Sequence, residues 1–494
     1  MNGYLMGIDV GSQGVKGVLC DPTGCPLGTA SEPCSFFHSA SGWAEQDPRQ
    51  WRQGVAAVVH KLTRQHDINA SAVSHIAMAC QVDGLVALDD QLRPLRPAII
   101  WLDRRATSQA KQLADHVGPD RLFQITGLNG DASHTAPKIM WLRAMETPIY
   151  SRTRWFAPVL GYMLSWLVGA VVQDHANASS SLLFDIREGR WSDILLNAAE
   201  VDPVRLAPIV ASEQVAGKVT SAAAVETGLS EDCLVVVGTG DDQAATLGAG
   251  VLDPGCIVDV CGTAEPVTCV SPTPTFDPDC LVELHCHAFG HMLLLENPGF
   301  VSGGSTLWLA SSLFDVSQLE LMTLASQAPR GSDGVLFIPS LSGATTPRWN
   351  DRMRGVFSGL SMNHGRKHLA RAVVEGCSYA LRDIVDQLQR LGAESTEIRV
   401  VGGGSRSDLW LQVKADVTGL CLRRVMNDEA TATGAAILAA TASGAVPDPE
   451  SAVDRMVQLG DCISPSVDRA VYDYGYRQYR SVFDHMEIAM TSSG

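Results

Sequence analysis

Asp9 closes an apolar run and opens a glycine-rich turn, Gly7-Ile8-Asp9-Val10-Gly11-Ser12-Gln13-Gly14-Val15-Lys16-Gly17. Glycines at 11, 14 and 17 let a chain turn sharply and approach a ligand. The free N–H groups of such a turn can cradle phosphate oxygens. A carboxylate at the strand end suits Mg²⁺, which takes one or two carboxylates and keeps several waters. The idea recurs halfway along as Ile257-Val258-Asp259-Val260-Cys261-Gly262-Thr263-Ala264. Two such hairpins, each opening one half of the chain, suggest two phosphate-binding lips facing across a cleft. Between them, Gly238-Thr239-Gly240-Asp241-Asp242-Gln243 joins an apolar run to a helix start. One of its acids could take the proton of an attacking hydroxyl, as phosphoryl transfer requires. Adjacent side chains diverge, so at most one of the two does so. A third glycine turn, Val400-Val401-Gly402-Gly403-Gly404-Ser405-Arg406-Ser407, permits close approach to a flat group. Each segment also has a plain structural reading: a hairpin with a turn-capping Asp, an Asp helix cap, a tight turn.

The elements that must position these residues alternate between strand and helix. Apolar runs suited to buried strands cover 4–10, 15–20, 76–80, 234–237, 256–260, 291–295, 335–338 and 398–401. Amphipathic helices are expected over 48–62, 106–116, 302–313, 368–391, 407–417 and 471–486, with a short one at 243–247. The fold class is α/β with mixed sheets, because the opening strands share a tight turn and must be antiparallel. At 494 residues the chain is too long for one core, so two domains are expected. The boundary falls near Gly250, giving 1–250 and 251–494.

Composition narrows the function classes. Hydrophobic residues make up 46% and charged residues 18%, an ordinary globular balance. The net charge of −17 disfavours nucleic acid and anionic membrane as partners. No stretch is long and apolar enough to span a bilayer, and Met1-Asn2-Gly3-Tyr4 lacks a basic leader pattern. The thirteen cysteines show no CxxC pair and read as reduced core thiols of a cytoplasmic protein. There is no P-loop, dinucleotide fingerprint, nucleophile elbow or zincin motif. His285-Cys286-His287 reads as paired strand histidines near a cleft rather than a metal cluster.

Taken together, these segments resemble the FGGY carbohydrate kinases, within the actin/hexokinase-like (ribonuclease H-like) ATPases. The resemblance covers nearly the whole chain. Its most specific piece is Gly355-Val356-Phe357-Ser358-Gly359-Leu360 followed after seven residues by His368-Leu369-Ala370-Arg371-Ala372-Val373-Val374-Glu375. Ser133-His134-Thr135-Ala136-Pro137-Lys138-Ile139-Met140-Trp141-Leu142 meets part of the family's earlier signature, whose polar end is lost at Ala144 and Met145. Trp43-Ala44-Glu45-Gln46-Asp47-Pro48 and Trp101-Leu102-Asp103-Arg104-Arg105 are most similar to the family's xylulokinase branch.

The resemblance implies ATP and Mg²⁺ as cofactors, a small sugar or polyol as substrate, and a homodimer. It implies Asp241 as general base and Asp9 as the Mg²⁺-linked acid, acting through water. Gly11, Ser12 and Gln13 fall in the first phosphate loop, and Gly262 and Thr263 in the second. Gly402, Gly403 and Gly404 match the adenosine-side segment. Val82, Asp83, Trp101, Asp103 and Asp242 fall on the sugar side. Several positions depart from the family pattern. Val82-Asp83 replaces a Met-His pair, and kinases of erythritol and related polyols carry an acid there. Leu102 stands where xylulokinases tend to have Asn. Ala264 loses a hydroxyl, and Ala344-Thr345 replaces a Glu-Arg pair. A carboxylate only accepts hydrogen bonds, whereas neutral imidazole can donate or accept. The implied activity is phosphorylation of D-xylulose to D-xylulose 5-phosphate. Ribulose, xylitol, erythritol or a related polyol is the alternative acceptor, and a non-catalytic nucleotide- or sugar-binding relative is the second alternative.

Overall fold

The computed structural model describes residues 3–290, 292–350, 352–427 and 429–491. Met1, Asn2 and His291 of the sequence expectations lie outside them. Two twisted mixed sheets carry the chain. The first holds β1 (Tyr4–Val10), β2 (Gly14–Cys20), β3 (Pro26–Pro33), β4 (Val73–Cys80), β5 (Val215–Lys218) and β6 (Leu234–Gly240). Their order is β5-β6-β4-β1-β2-β3. The second holds β7 (Cys256–Val260), β8 (Val267–Ser271), β9 (Glu283–Cys286), β10 (Leu293–Asn297), β11 (Glu397–Val401), β12 (Cys421–Val425) and β13 (Leu459–Ile463). Their order is β9-β10-β8-β7-β11-β12-β13. Each sheet begins with an antiparallel hairpin and continues into parallel strands, β4 and β6 in one, β11 and β12 in the other. The two halves are thus built alike, as the repeated glycine turn foretold.

Helices cover both sheets. In α1 (Pro48–Gln65), Asp47 caps the start by accepting from the Arg49 N–H at 3.0 Å, and Pro48 fits the first turn. Its buried face, Trp51, Val55, Val58 and Leu62, lies in one core with Val15 and Leu19 of β2. The signature segment lies on α4 (Arg366–Arg390). There Arg371 bonds Glu375 at 2.7 Å, and Glu375 accepts from the Gly331 N–H at 2.9 Å. Those two residues brace the fold.

The expected elements are found with shifted ends. The run 234–237 extends to Gly240 because Gly238 continues it through a bulge, at φ 85°. A Cβ at Gly238 would lie 1.8 Å from the Met78 carbonyl oxygen. The helix expected over 302–313 is divided: α-helical at Gly303–Trp308, then π-helical at Leu309–Phe314. The strand expected over 291–295 runs instead at Leu293–Asn297. The cysteine reading is corrected at one pair. Cys421 and Cys462, on the neighbouring strands β12 and β13, form a disulfide with Cα atoms 6.0 Å apart. The cause is strand pairing, invisible in a search for close spacing. A division near Gly250 separates the two sheets but not their coverings. The alanine-rich α6 (Ala430–Ser443), from the second half, buries Ala432, Ala435 and Ala436 in one cluster with Leu5, Ala77 and Val236 of the first sheet. Among the described residues, no helix is long and apolar enough to cross a membrane.

Candidate active site

Parallel pairing sets the first acids. Asp9 of β1 stands opposite Ala79 of β4, and Gly240 of β6 opposite Cys80. Asp9 and Asp241 therefore leave strand ends one strand apart, at the edge where α/β folds bind ligands. Asp9 is 8% exposed, and its Oδ1 has no hydrogen-bond partner among the described residues. Burial pushes its carboxyl up to about 7, against the pull of Lys16. Lys16 is itself bonded to Glu429 at 2.8 Å. An orphaned, buried carboxylate oxygen beside a glycine turn fits a hard divalent cation.

Asp241 and Asp242 open α3 (Asp241–Gly248), with Gly240 at its N-cap. Burial raises Asp241 well above the carboxylate range, and Asp242 and Asp9 add to it. Burial likewise brings Asp242 up to about 6, opposed by His285 and helped by Asp83. Asp241 Oδ1 accepts from the Val82 N–H at 3.3 Å. The next residue, Asp83, is in the left-handed region (φ 62°). Arg104 does not pair with it; that guanidinium bonds Asp131 at 2.6 and 2.7 Å. Asp83 meets His134 Nδ1 at 3.3 Å instead. Burial disfavours the imidazolium, yet Asp83 outweighs it and holds His134 up at about 9. Lys138, wholly buried and brought down to about 8 by that burial, donates to the Asp83 carbonyl at 2.5 Å. Gln81 donates to Gln46 at 2.8 Å, and Gln46 to the Ser12 carbonyl at 2.7 Å. This chain ties the Val82–Asp83 turn to the first glycine turn, where the Gly11 N–H donates to Gly14 at 3.0 Å.

The second turn is anchored from beneath. Lys414, on α5 (Asp408–Thr418), has no exposed surface. Its Nζ lies 2.6 Å from Asp259, 3.0 Å from Glu265 and 3.2 Å from Cys261 Sγ, residues bracketing Gly262 and Thr263. Burial alone would lower this ammonium, but Asp259, Cys261 and Glu265 outweigh it and hold it well above the ordinary lysine value. Asp259, Cys261 and Glu265 have the spacing of a metal site; Lys414 supplies the cation. The third glycine turn packs on the second. The Gly404 N–H donates to the Cys261 carbonyl at 3.0 Å. A Cβ at Gly404 would lie 2.2 Å from Cys261 Sγ, whereas one at Gly403 would meet nothing within 4 Å. Gly404 thus fixes the turn, and Gly403 presents bare backbone to the cleft.

Two acid-bearing turns, a duplicated sheet and a glycine shelf accompany a family match over most of the chain. Residues 4–248 match the N-terminal domain, and 260–443 the C-terminal domain, of the FGGY family of carbohydrate kinases. The chain belongs to that family. This FGGY kinase is 31% identical to a xylulose kinase of Staphylococcus epidermidis over 97% of its length and 95% of the relative's. It is 26% identical to a gluconokinase of Bacillus subtilis, over 98% and 94%. The crystal structure of a xylulose kinase from Rhodospirillum rubrum superposes with a TM-score of 0.90 at 27% identity, covering 99% of this chain and 100% of that one. The chain is an ATP-dependent carbohydrate kinase with the two-domain actin/hexokinase-like architecture.

Most of the kinase residues expected from sequence fall into two groups held by their contacts. One is Asp9, Val82, Asp83, Asp241 and Asp242, with the Gly11–Gln13 turn tied to them through Gln46 and Gln81. The other is Gly262 and Thr263 with Gly402–Gly404. Trp101 is 39% exposed. Asp103 differs. Its carboxylate is wholly buried and already accepts from the Ala44 N–H at 2.5 Å and from Arg105 Nε and Nη2 at 2.8 and 2.7 Å. That carboxylate braces the Ala44–Arg105 turn. His285 Nδ1 turns to Ser180 at 3.3 Å, and His287 Nδ1 accepts from the Phe289 N–H at 3.2 Å. Sequence reasoning missed the site roles of His134, Lys138, Glu283, Glu296 and Lys414. His134 and Lys138 sat inside a quoted signature. For Glu296 and Lys414 the only available signal was a charged residue inside an apolar run.

Proposed function

We propose that this kinase transfers the γ-phosphoryl group of ATP to a terminal hydroxyl of a pentulose, D-xylulose first among them, giving D-xylulose 5-phosphate. The observation that carries this reading is Asp241, a half-buried carboxyl of raised pKa whose Oδ1 accepts from the Val82 N–H and whose charge interacts with Asp9. A carboxyl raised above its ordinary range is the stronger proton acceptor once ionised. Asp241 receives the hydroxyl proton as the oxygen attacks phosphorus. The N–H groups of the turns at Gly11 and Gly262 hold the phosphate chain, and the Gly402–Gly404 shelf lies against the adenosine. Asp9 would hold Mg²⁺, which when bound would supply charge neutralisation at the phosphate oxygens. Positioning and charge stabilisation supply most of the rate, since phosphoryl transfer asks little covalent chemistry of the protein. The near full-length likeness to xylulose kinases supports the choice of acceptor. A pentitol is the second reading, favoured by Asp83, an acceptor-only group where an imidazole would donate. The curated relatives are consistent with a reaction in the cytoplasm, and the family with a homodimer.

The test is sugar-stimulated ADP release by wild type and Asp241→Asn over D-xylulose, ribulose, xylitol, erythritol and gluconate. Wild type should turn over a neutral sugar or polyol. The variant should lose about 10²- to 10⁴-fold in kcat while ATP affinity stays within about twofold. A variant within about tenfold of wild type would refute Asp241 as base.

A further inference from the structure

Close enough to the Val82–Asp83 turn for Asp83 to act on Glu296 stands the edge of the second sheet, β9 and β10. Glu283 and Glu296 are direct partners across this antiparallel pair, and Thr268 of β8 is the partner of Glu296 on its other side. Cross-strand partners share one face of a sheet. Thr268 Oγ1 lies 2.9 Å from Thr246 Oγ1 on α3. The face carrying Glu283 and Glu296 therefore looks towards the helix that bears Asp241 and Asp242. Glu283 is committed: its Oε1 accepts from Asn129 N at 3.1 Å and Nδ2 at 3.3 Å. Glu296 is not. It is 6% exposed, and its Oε2 has no partner among the described residues. The charged groups facing it are Asp242, Glu283, Asp241 and Asp83.

A buried polar oxygen without a partner is costly. One set beside the acids Asp242, Asp241 and Asp83 is an atom whose partner an acceptor can bring. We infer that Glu296 is a specificity-determining residue of this kinase, hydrogen-bonding an oxygen of the acceptor chain remote from the phosphorylated hydroxyl, and that the acceptor it admits is a neutral polyhydroxyl chain and not a sugar acid. This rests on the sugar-kinase reading above. The cations on this side are engaged: His134 with Asp83 at 3.3 Å, and Lys138 with the Asp83 and Ser133 carbonyls. His285 Nε2 lies 3.8 Å from Glu283, beyond hydrogen-bond reach, and like Glu296 Oε2 has no hydrogen-bond partner among the described residues, so it too is left for an acceptor oxygen. A substrate carboxylate would enter among Asp83, Asp242 and Glu283, where like charges repel. Burial holds Glu296 well above the carboxylate range, with Asp242 adding to it. As a neutral acid it can donate as well as accept. It thus offers a ketose carbonyl the donor that Asp83 cannot.

The experiment measures ADP release by the full chain at saturating Mg·ATP with D-xylulose, xylitol and D-gluconate, for wild type, Glu296→Leu and Glu296→Gln. Melting curves check folding. Glu296→Leu should raise the KM of the best neutral acceptor by roughly tenfold to a hundredfold and leave the KM of ATP within about twofold. Glu296→Gln, which keeps a donor and an acceptor, should stay within about threefold of wild type. Wild type should use gluconate at least about a hundredfold less well than the best neutral acceptor. An unchanged acceptor KM in the leucine variant overturns the inference. So does an equal rise for ATP, or gluconate used as well as D-xylulose; that last comparison needs no variant. Wild type inert with all three acceptors would instead bring down the sugar-kinase reading, and this inference with it.

Discussion

Removing the charge of Asp9 should make the free protein more stable while destroying its use of Mg·ATP. The sign follows from burial. Asp9 titrates near 3.8 when unfolded and is pushed up to about 7 in the fold. The folded value lies above the unfolded one, so stability is fully present below about pH 4. It is then lost as pH climbs towards 7, opposite to a salt-bridged aspartate. Each pH unit in that window costs about 1.4 kcal/mol. Carried to pH 8, the sum is roughly 4 kcal/mol; at pH 5 it is under about 2 kcal/mol. Asparagine cannot ionise, so Asp9→Asn should recover most of this. Water reaching the cleft trims the gain to about 2–4 kcal/mol, or on the order of 10 °C in melting temperature for domains of this size. The assay is thermal melting in EDTA at pH 5 and pH 8, beside ATP kinetics with Mg²⁺. The variant should melt higher at pH 8, by a margin that shrinks at pH 5, and should lose most Mg·ATP turnover with sugar binding kept. A variant melting at or below wild type at pH 8 would refute the reasoning, as would a margin independent of pH.

Two further outcomes concern the second and third turns. Lys414→Met should destabilise by about 3–5 kcal/mol, because it strands Asp259 and Glu265 without their cation; urea unfolding reads this, and a loss under about 1 kcal/mol would mean the acids simply take up protons. Gly404→Ala should raise the KM of ATP by about tenfold or more, since its Cβ would sit 2.2 Å from Cys261 Sγ. Adding Cys261→Ala should recover part of that loss, and kinetics of the pair that add without recovery would argue against this contact.

Local chemistry was legible from residues; pairing was not. The glycine turns, the acids at strand ends and the capped helix after Asp47 are written in consecutive residues, and each lies where its local pattern places it. Asp103 shows the limit. Its neighbours in sequence resemble a sugar-side segment, but its carboxylate is taken by Ala44, a partner 59 residues away, and by Arg105. Glu296 shows the converse. Nothing in Leu293-Leu294-Leu295-Glu296-Asn297 hints at ligand contact, because its meaning lies in register with Glu283 and Thr268. The disulfide of Cys421 and Cys462 escaped for the same reason. The π-helical turn at Leu309–Phe314 follows an unbroken apolar period, so periodicity alone reads one helix.

The two acid clusters of this kinase solve the same problem in different ways, and the difference separates scaffold from site. Asp259 and Glu265 are wholly buried, and the chain itself sets Lys414 against both, although burial and Glu265 still raise Asp259 to about 7. The turn above them is thereby held in place before any ligand arrives. Asp9 is also buried and Asp241 and Asp242 are half-buried, but the nearby Lys16 is bonded to Glu429. Burial and mutual repulsion raise all three. A fold selected for stability alone would replace such residues with amides at no cost in packing. Three such acids, at the end of β1 and the start of α3, mark a candidate site whose countercharge a ligand would bring. Under the proposed reaction, Mg²⁺ at Asp9 would supply that charge, and a cation there would favour the ionised form of Asp241 that a base needs.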